Sequence, residues 1–146
     1  MKRTSTRMRL CTALLICLLV FIWGNSLMPG PVSQAISNFV QKILFRTELT
    51  PGEIPAGNTL LRKMAHFTEF AALGFLLCWR FGMLKKPVKY AVFSGITAAC
   101  IDEGIQAFTP DRACRLYDVA IDSLGILTGI ALLHYGHTYL KKRRSA

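Results

Sequence analysis

Acidic residues are scarce in this chain, which has eight Asp and Glu against eighteen Lys and Arg. The formal net charge of +10 would suit a nucleic-acid partner, but surfaces that bind nucleic acids interleave basic side chains with exposed aromatic ones. The basic residues here lie in short clusters without such aromatics, so no nucleic-acid partner is predicted. Membrane topology and anionic lipid headgroups explain the positive charge better.

Cysteine is too sparse and too scattered to form a disulfide framework. The chain has five cysteines, an odd number without paired spacing. Cys11, Cys17, Cys78 and Cys100 fall within apolar segments, where a thiol behaves as a small apolar residue, and Cys114 is the one expected on the outer side. Packing is therefore the predicted role of the cysteines.

Long apolar stretches are the dominant feature of what is present. Hydrophobic residues make up 52% of the 146 positions, which exceeds the content of ordinary soluble domains. A membrane-spanning helix needs about 20 apolar residues. Four stretches approach this length and predict an all-α, polytopic membrane protein whose single domain, 1–146, is a four-transmembrane-helix bundle: 10–27, 60–81, 88–108 and 116–139.

The basic clusters predict the orientation of these spans. Three segments hold twelve basic residues and no acidic one: Lys2, Arg3, Arg7 and Arg9; Arg80, Lys85, Lys86 and Lys89; Lys141, Lys142, Arg143 and Arg144. The positive-inside rule places both termini and the middle turn in the cytoplasm. A cleaved signal peptide ending near Ser26 is the alternative for the first stretch, and it leaves the orientation of the later spans unchanged.

The outer loop, 28–59, contains a further helical pattern. Pro29 to Pro31 open the loop, and Pro51 to Gly57 close it. Between them, apolar residues recur at helical spacing: Val32, Ile36, Phe39, Val40, Ile43 and Leu44. The pattern predicts an amphipathic helix, which either lies on the outer membrane surface or packs on the end of the bundle.

All eight acidic residues fall on the outer side of the predicted midplane. Glu48 and Glu53 are ordinary loop residues, whereas six lie in or between apolar segments: Glu69, Asp102, Glu103, Asp111, Asp118 and Asp122. Asp and Glu contribute little to orientation, so another cause must keep them there. With a rise of about 1.5 Å per residue, Glu69, Asp102 and Asp122 lie at a similar depth, so they are predicted to meet in one site.

Helical spacing places other polar groups beside these carboxylates. Arg62, His66 and Glu69 share one face of the second span, and Asp102 and Gln106 share one face of the third. On the fourth span, Asp118 and Asp122 precede a Gly125-Ile-Leu-Thr-Gly129 stripe, which lets another helix approach closely. Two explanations stay open: an interhelical ion-pair network in which Arg62, Lys63, Arg112 and Arg115 neutralise the acids, or an outward-facing functional pocket.

Two motifs resemble the VanZ-like family of membrane proteins. The first runs Lys63-Met-Ala-His66-Phe67, then Glu69-Phe70 and Leu73-Gly74. The second comprises Asp102-Glu103-Gly-Ile-Gln106, Phe108, Pro110, Arg112, Asp118-Val119, Asp122 and Gly125. Two positions depart from the family pattern: Arg62 stands where an aspartate is frequent, and Asp111 where a glycine is common.

The resemblance implies a bacterial cell-envelope protein of the cytoplasmic (inner) membrane. The family is named for a protein that raises resistance to the glycopeptide antibiotic teicoplanin. The leading hypothesis is a pocket that binds a lipid-linked cell-wall precursor, the glycopeptide or another amphiphile, with membrane lipids as further partners and an oligomeric state that the sequence does not define. The candidate ligand-binding residues are Lys63, His66, Glu69, Asp102, Glu103, Gln106, Arg112, Asp118 and Asp122.

A membrane-embedded hydrolase or transferase acting on a lipid-linked envelope precursor is the second hypothesis. Its base would be His66, oriented by Glu69 or Asp102, and these carboxylates could also serve as acids or metal ligands. His-Glu-x-x-His and Gly-x-Ser-x-Gly motifs are absent, so no metal and no cofactor are predicted. A channel, the third class, would need a polar path through the inner halves of the spans, which the sequence does not provide.

Overall fold

The computed structural model describes residues 2–45, 56–112 and 115–144, and in these ranges the chain is helical apart from short turns. Its helices are α1 (Lys2–Ser26), α2 (Gly30–Phe45), α3 (Ala56–Met83), α4 (Lys89–Ala107) and α5 (Leu116–Arg144). The predicted all-α class is therefore confirmed. Each of the four predicted spans coincides with a helix, and α2 is the helix predicted in the outer loop. The predictions for Glu48, Glu53 and Cys114 lie outside the described residues.

Length and hydropathy identify two of these helices as candidate membrane spans. Ser5–Ser26 in α1 and Leu116–Arg143 in α5 are long and apolar enough to cross a bilayer. The other two predicted spans, α3 and α4, do not meet this criterion, and both have charged side chains well inside their length. Length and hydropathy therefore identify two candidate membrane-spanning helices and not the four that were predicted.

The α3–α5 pair has the most extensive contact between helices in the described ranges. The glycine stripe of α5 lies against α3, where a Cβ atom added at Gly125 would be 2.5 Å from the carbonyl oxygen of Phe67. A Cβ atom at Gly129 would overlap the carbonyl oxygen of Ala71. The close approach predicted from the stripe is confirmed, and it holds the N-terminal part of α5 beside His66 and Glu69 of α3.

The apolar core lies between α1, α3, α4 and α5. Its fully buried members include Ile22, Phe70, Leu73, Ala99 and Ile126. Small residues of α4 bring this helix close to its neighbours, because a Cβ atom at Gly95 would lie 2.7 Å from the Ile126 side chain. This packing fixes the rotation of each helix and thereby aims its polar residues at one another.

The α2 helix presents its apolar face outward. Phe39 and Ile43 are 65% and 62% exposed, whereas Ser37 is buried and Gln34 has a buried amide nitrogen. A helix packed on a protein surface would bury the apolar face instead. The α2 helix does pack on α3, but it does so through its polar side, with Ser37 buried, and it leaves most of the apolar stripe exposed.

The start of α2 is attached to the turn between α4 and α5. The backbone amide of Gly30 donates a hydrogen bond to the carbonyl oxygen of Pro110 at 3.1 Å. A side chain at Gly30 would overlap the backbone of Asp111, so only glycine fits this crossing without displacement. The contact places α2 at the edge of the polar end of the bundle.

Candidate functional site

Asp102 is the centre of a buried polar network at this end of the bundle. Its side chain is fully buried. The hydroxyl of Ser26 donates to Oδ1 at 2.7 Å, and the Gln106 amide donates to Oδ2 at 2.9 Å. The Thr109 hydroxyl adds a bond to the Ser26 carbonyl oxygen at 3.0 Å. The network thus joins the C-terminal ends of α1 and α4.

Two further ligating side chains face Asp102 from α3 and α5. Nδ1 of His66 lies 3.9 Å from Asp102 Oδ2. Asp122 is 2% exposed. One potential metal-ligating atom from each of His66, Asp102 and Asp122 lies within 4.8 Å of the other two. Three helices that are distant in sequence therefore contribute to one group of potential bases or ligands.

Glu69 and Glu103 lie beside this group rather than within it. The Asn25 amide donates to Glu69 Oε1 at 3.3 Å, while the other Glu69 oxygen is buried without a hydrogen bond in the described part of the chain. Glu103 is 3% exposed, and its Oε1 accepts a bond from the backbone amide of Arg115. The two glutamates therefore connect the site to α1 and to the start of α5.

Arg112 binds the end of α1. Its Nε donates to the carbonyl oxygen of Met28 at 3.2 Å, and its Nη2 donates to that of Asn25 at 2.9 Å. Carbonyl groups at a helix C-terminus lack intrahelical partners and carry partial negative charge, so a guanidinium satisfies them well. Burial, followed by the nearby Arg62, lowers the pKa of Arg112. The ion-pair network, one of the two explanations left open by the sequence, would pair Arg112 with carboxylates, whereas these contacts are to carbonyl oxygens.

A cavity of about 240 Å³ opens next to the network. Tyr117 forms part of its wall, with the Lys63 ammonium 4.3 Å from the ring centroid and Arg115 Nη1 donating to the hydroxyl at 2.6 Å. This bond to Tyr117 is the main cause that raises the pKa of Arg115. The residues lining the cavity are Arg62, Lys63, His66, Gln106, Asp111, Arg112, Arg115, Tyr117, Asp118, Ile121 and Asp122.

A second cavity, of about 330 Å³, lies between α1, α2 and α3. Arg62, His66 and Arg112 line both cavities, so the two spaces share a wall. The remainder of the second lining is mixed: Phe21, Asn25, Met28, Ser33, Ile36, Ser37, Leu61, Ala65 and Glu69. A polar chamber and a more apolar groove are therefore adjacent.

The structure brings the predicted site residues to one end of the bundle, in different positions. Lys63, His66, Gln106, Arg112, Asp118 and Asp122 line the first cavity, and Glu69 lines the second. Asp102 and Glu103 line neither, because they are buried behind the wall. Their roles in binding or catalysis stay predictions.

Sequence reasoning missed the contribution of α1. Ser26 and Asn25 donate hydrogen bonds to Asp102 and Glu69. A signal was available, because two consecutive polar residues end an otherwise apolar stretch, and Ser26 lies four residues after the buried Ile22. The position of Tyr117 in the cavity wall was also missed. Aromatic residues are common near membrane boundaries, so Tyr117 gave no sign of a functional site in the sequence.

The geometry defines an all-α protein with an apolar exterior and a buried polar site that contains both signs of charge. The chain belongs to the VanZ/LLP1 family, whose family model matches residues 11–137 and thus every candidate site residue. No curated protein and no solved structure matches the chain. Family membership and the apolar helices α1 and α5 together indicate a membrane protein.

One departure from the family pattern has a backbone explanation. Asp111 adopts a φ of 57°, in the left-handed region that favours glycine. Glycine, which the resemblance implies at this position, would take up this turn without steric cost. Aspartate is among the residues that tolerate this conformation, so it fits the turn that precedes Arg112.

Proposed function

We propose that the chain is a four-span bundle in the bacterial cytoplasmic membrane, with both termini cytoplasmic and the polar cavity open to the outer face. Exposed apolar side chains on α3 and α4 support the two additional spans, among them Met64 and Phe93 at 59% and 75% exposure. Lys85, Lys86 and Lys89 lie at the opposite end from the cavity, as the positive-inside rule requires.

In this membrane the protein binds the anionic headgroup of a lipid-linked or amphiphilic ligand. The observation that carries this proposal is the set of cations in the cavity wall: Arg62, Lys63, Arg112 and Arg115. No Lys or Arg nitrogen of the described residues lies within 4 Å of an Asp118 or Asp122 oxygen. The positive charges are thus not consumed by ion pairs with those carboxylates and can attract an anion.

The adjoining groove suits the apolar part of such a ligand. Because Arg62, His66 and Arg112 separate the two cavities, a headgroup in the first would place a chain in the second. The outward apolar face of α2 lies beside this groove and would contact lipid. An effect on teicoplanin susceptibility would follow from altered access to a precursor on the outer membrane face.

The α2 contact with lipid can be measured directly. We expect a spin label at Phe39→Cys to be accessible to oxygen in nanodiscs and protected from a water-soluble nickel reagent, because Phe39 belongs to the outward apolar face. A label at Lys42→Cys, also exposed but at the polar edge of this face, serves as the control and should be more accessible to nickel than the label at Phe39. Both variants need a background without native cysteines. Equal access of nickel to both labels would contradict lipid contact.

Headgroup binding is tested by crosslinking a photoreactive polyprenyl-diphosphate probe to the protein in membranes. We expect Lys63→Glu to reduce labelling at least about tenfold, because reversing one charge at a phosphate contact costs more than 1.4 kcal/mol. Lys89→Glu is a matched control, since Lys89 also lies near a tyrosine ring but at the other end of the bundle. Its labelling and abundance should equal those of the wild type.

Equal labelling of the wild type and Lys63→Glu at equal abundance would remove the binding proposal. Teicoplanin susceptibility that does not change on expression of the protein would remove the proposed effect on access to the precursor. Loss of labelling in both lysine variants would assign the effect to general surface charge instead of the cavity.

The proximity of His66 to Asp102 favours one second candidate, a membrane-embedded hydrolase or transferase for a lipid-linked precursor. A carboxylate near an imidazole can orient it as a general base, although 3.9 Å is beyond hydrogen-bond distance. Lipidomic comparison of membranes with the wild type or His66→Ala separates the candidates. A lipid-linked species that changes only with the wild type supports catalysis, and altered susceptibility without any changed species supports binding.

A further inference from the structure

His66 on α3, Asp102 on α4 and Asp122 on α5 form a compact group of potential metal ligands. One ring nitrogen and one oxygen from each carboxylate lie within 4.8 Å of one another. An imidazole nitrogen combined with two carboxylate oxygens suits Zn²⁺ or Mn²⁺. We infer that these three side chains bind one divalent cation.

The distances between the three potential ligand atoms are close to those found around a bound metal ion. Ligand atoms about 2.1 Å from a common cation lie about 3.0 to 3.5 Å from one another. Closing the group from its present separation needs side-chain movements of about an ångström, without displacement of the helices. The helix positions are fixed by close packing, because Gly125 of α5 lies against the α3 backbone at Phe67 and Gly95 of α4 lies against the Ile126 side chain of α5.

Asp122 provides an independent reason to expect a cation. It is 2% exposed and lines the first cavity. Within the described ranges, its carboxylate has no hydrogen-bond donor and no Lys or Arg nitrogen within 4 Å. Burial of a carboxylate without a partner is costly, and a divalent cation would supply the missing interaction.

The surroundings of Asp102 fit a ligand held in place by neighbours. Ser26 and Gln106 each donate one hydrogen bond to a different Asp102 oxygen. A carboxylate has about four lone-pair positions, so both oxygens can still bind a cation. Hydrogen bonds to ligating carboxylates are the usual means by which proteins orient a metal site.

The remaining coordination positions of the cation would face the first cavity. Arg62, Lys63 and Arg112 in its wall oppose a cation alone, but they favour a cation that shares a negatively charged ligand with them. A phosphate-bearing amphiphile satisfies both, since its oxygens can contact the metal and the basic side chains together. This choice of ligand class rests on the proposed function, whereas cation binding itself does not.

Metal content of the purified full chain in detergent is the direct test. After chelation and dialysis against Zn²⁺ or Mn²⁺, we expect one ion per chain by elemental analysis, and a bound-Mn²⁺ signal in electron paramagnetic resonance. Asp122→Asn and His66→Ala should each weaken binding at least about 100-fold, because each removes a direct ligand. Elution as a single monodisperse peak verifies that the variants fold.

His134→Ala is the matched control for adventitious binding. His134 lies on α5 outside both cavities of the polar end, in a separate pocket with His137 and Cys78. Its removal should leave the stoichiometry at one. A wild type without metal would overturn the inference, as would metal content that is unaffected by His66→Ala and Asp122→Asn or is lost in His134→Ala.

Crosslinking with the polyprenyl-diphosphate probe separates this inference from the proposed function. Labelling that depends on Lys63 in a protein without metal would refute the cation site and retain the binding function. One ion per chain without any labelling would retain the cation site and refute the function. A tenfold gain in labelling on addition of Mn²⁺, absent in Asp122→Asn, would support both.

Discussion

Replacement of Gly129 with alanine is expected to destabilise the bundle by about 3 kcal/mol, at the upper end of the cost of overpacking. The added Cβ atom would overlap the carbonyl oxygen of Ala71 and lie 2.8 Å from the backbone nitrogen of Phe75. Backbone atoms of α3 cannot rotate away as a flexible side chain could. The two helices must therefore separate, and this disrupts packing along their whole contact.

The measurement is the thermal stability of a fluorescent fusion by size-exclusion chromatography in detergent. A loss of about 3 kcal/mol corresponds to a Tm lower by roughly 10 °C for a chain of this size. Gly136→Ala is the matched control on the same helix, because nothing lies within 4 Å of its added Cβ atom. Alanine favours a helix by about 1 kcal/mol over glycine, so this control should be unchanged or slightly more stable.

A Tm that falls equally in both variants would show that glycine is needed for helix flexibility instead of close packing. An unchanged Tm in Gly129→Ala would show that α3 and α5 are farther apart than the structure has them. Either result would also weaken the site, because this contact positions Asp118 and Asp122 against α3.

The sequence was sufficient to predict the helices for a simple physical reason. Apolar runs close to the length of a bilayer crossing, separated by prolines and basic turns, leave few alternatives. The glycines at positions 125 and 129 also predicted that another helix packs closely against α5, since small residues at this spacing mainly allow such close packing. Local patterns determine these features.

The partners of individual polar residues could not be predicted in the same way. Helical spacing identified the faces of α3, α4 and α5, but the rotation of α1 depends on core packing at Ile22 and its neighbours. For this reason the Ser26 bond to Asp102, which spans 76 positions, was missed. One of the two explanations left open by the sequence paired Arg112 with carboxylates, yet the unpaired carbonyls at the end of α1 compete for the same donors.

Replacement of Asp102 with alanine is expected to have the second large effect, a destabilisation of about 3 kcal/mol together with loss of probe labelling. The change leaves the Ser26 hydroxyl without its acceptor in a buried site, and the Gln106 amide keeps only its bond to Ser26 Oγ at 3.3 Å. An unsatisfied buried donor costs about 1 to 3 kcal/mol. It also removes the nearest carboxylate from His66. Thermal stability and labelling are measured on the same preparations.

Asp102→Asn distinguishes the hydrogen-bonding role of Asp102 from its charge. The asparagine oxygen can still accept from Ser26, and the Gln106 amide can turn over to accept from the new amide group. Most of the stability should therefore return, whereas cation binding should be at least about 100-fold weaker than in the wild type, as for Asp122→Asn, because a charged ligand is lost. If Asp102→Asn is as unstable as Asp102→Ala, the charge itself holds the bundle together. If it binds Mn²⁺ as tightly as the wild type, Asp102 belongs to the structural network and not to the cation site.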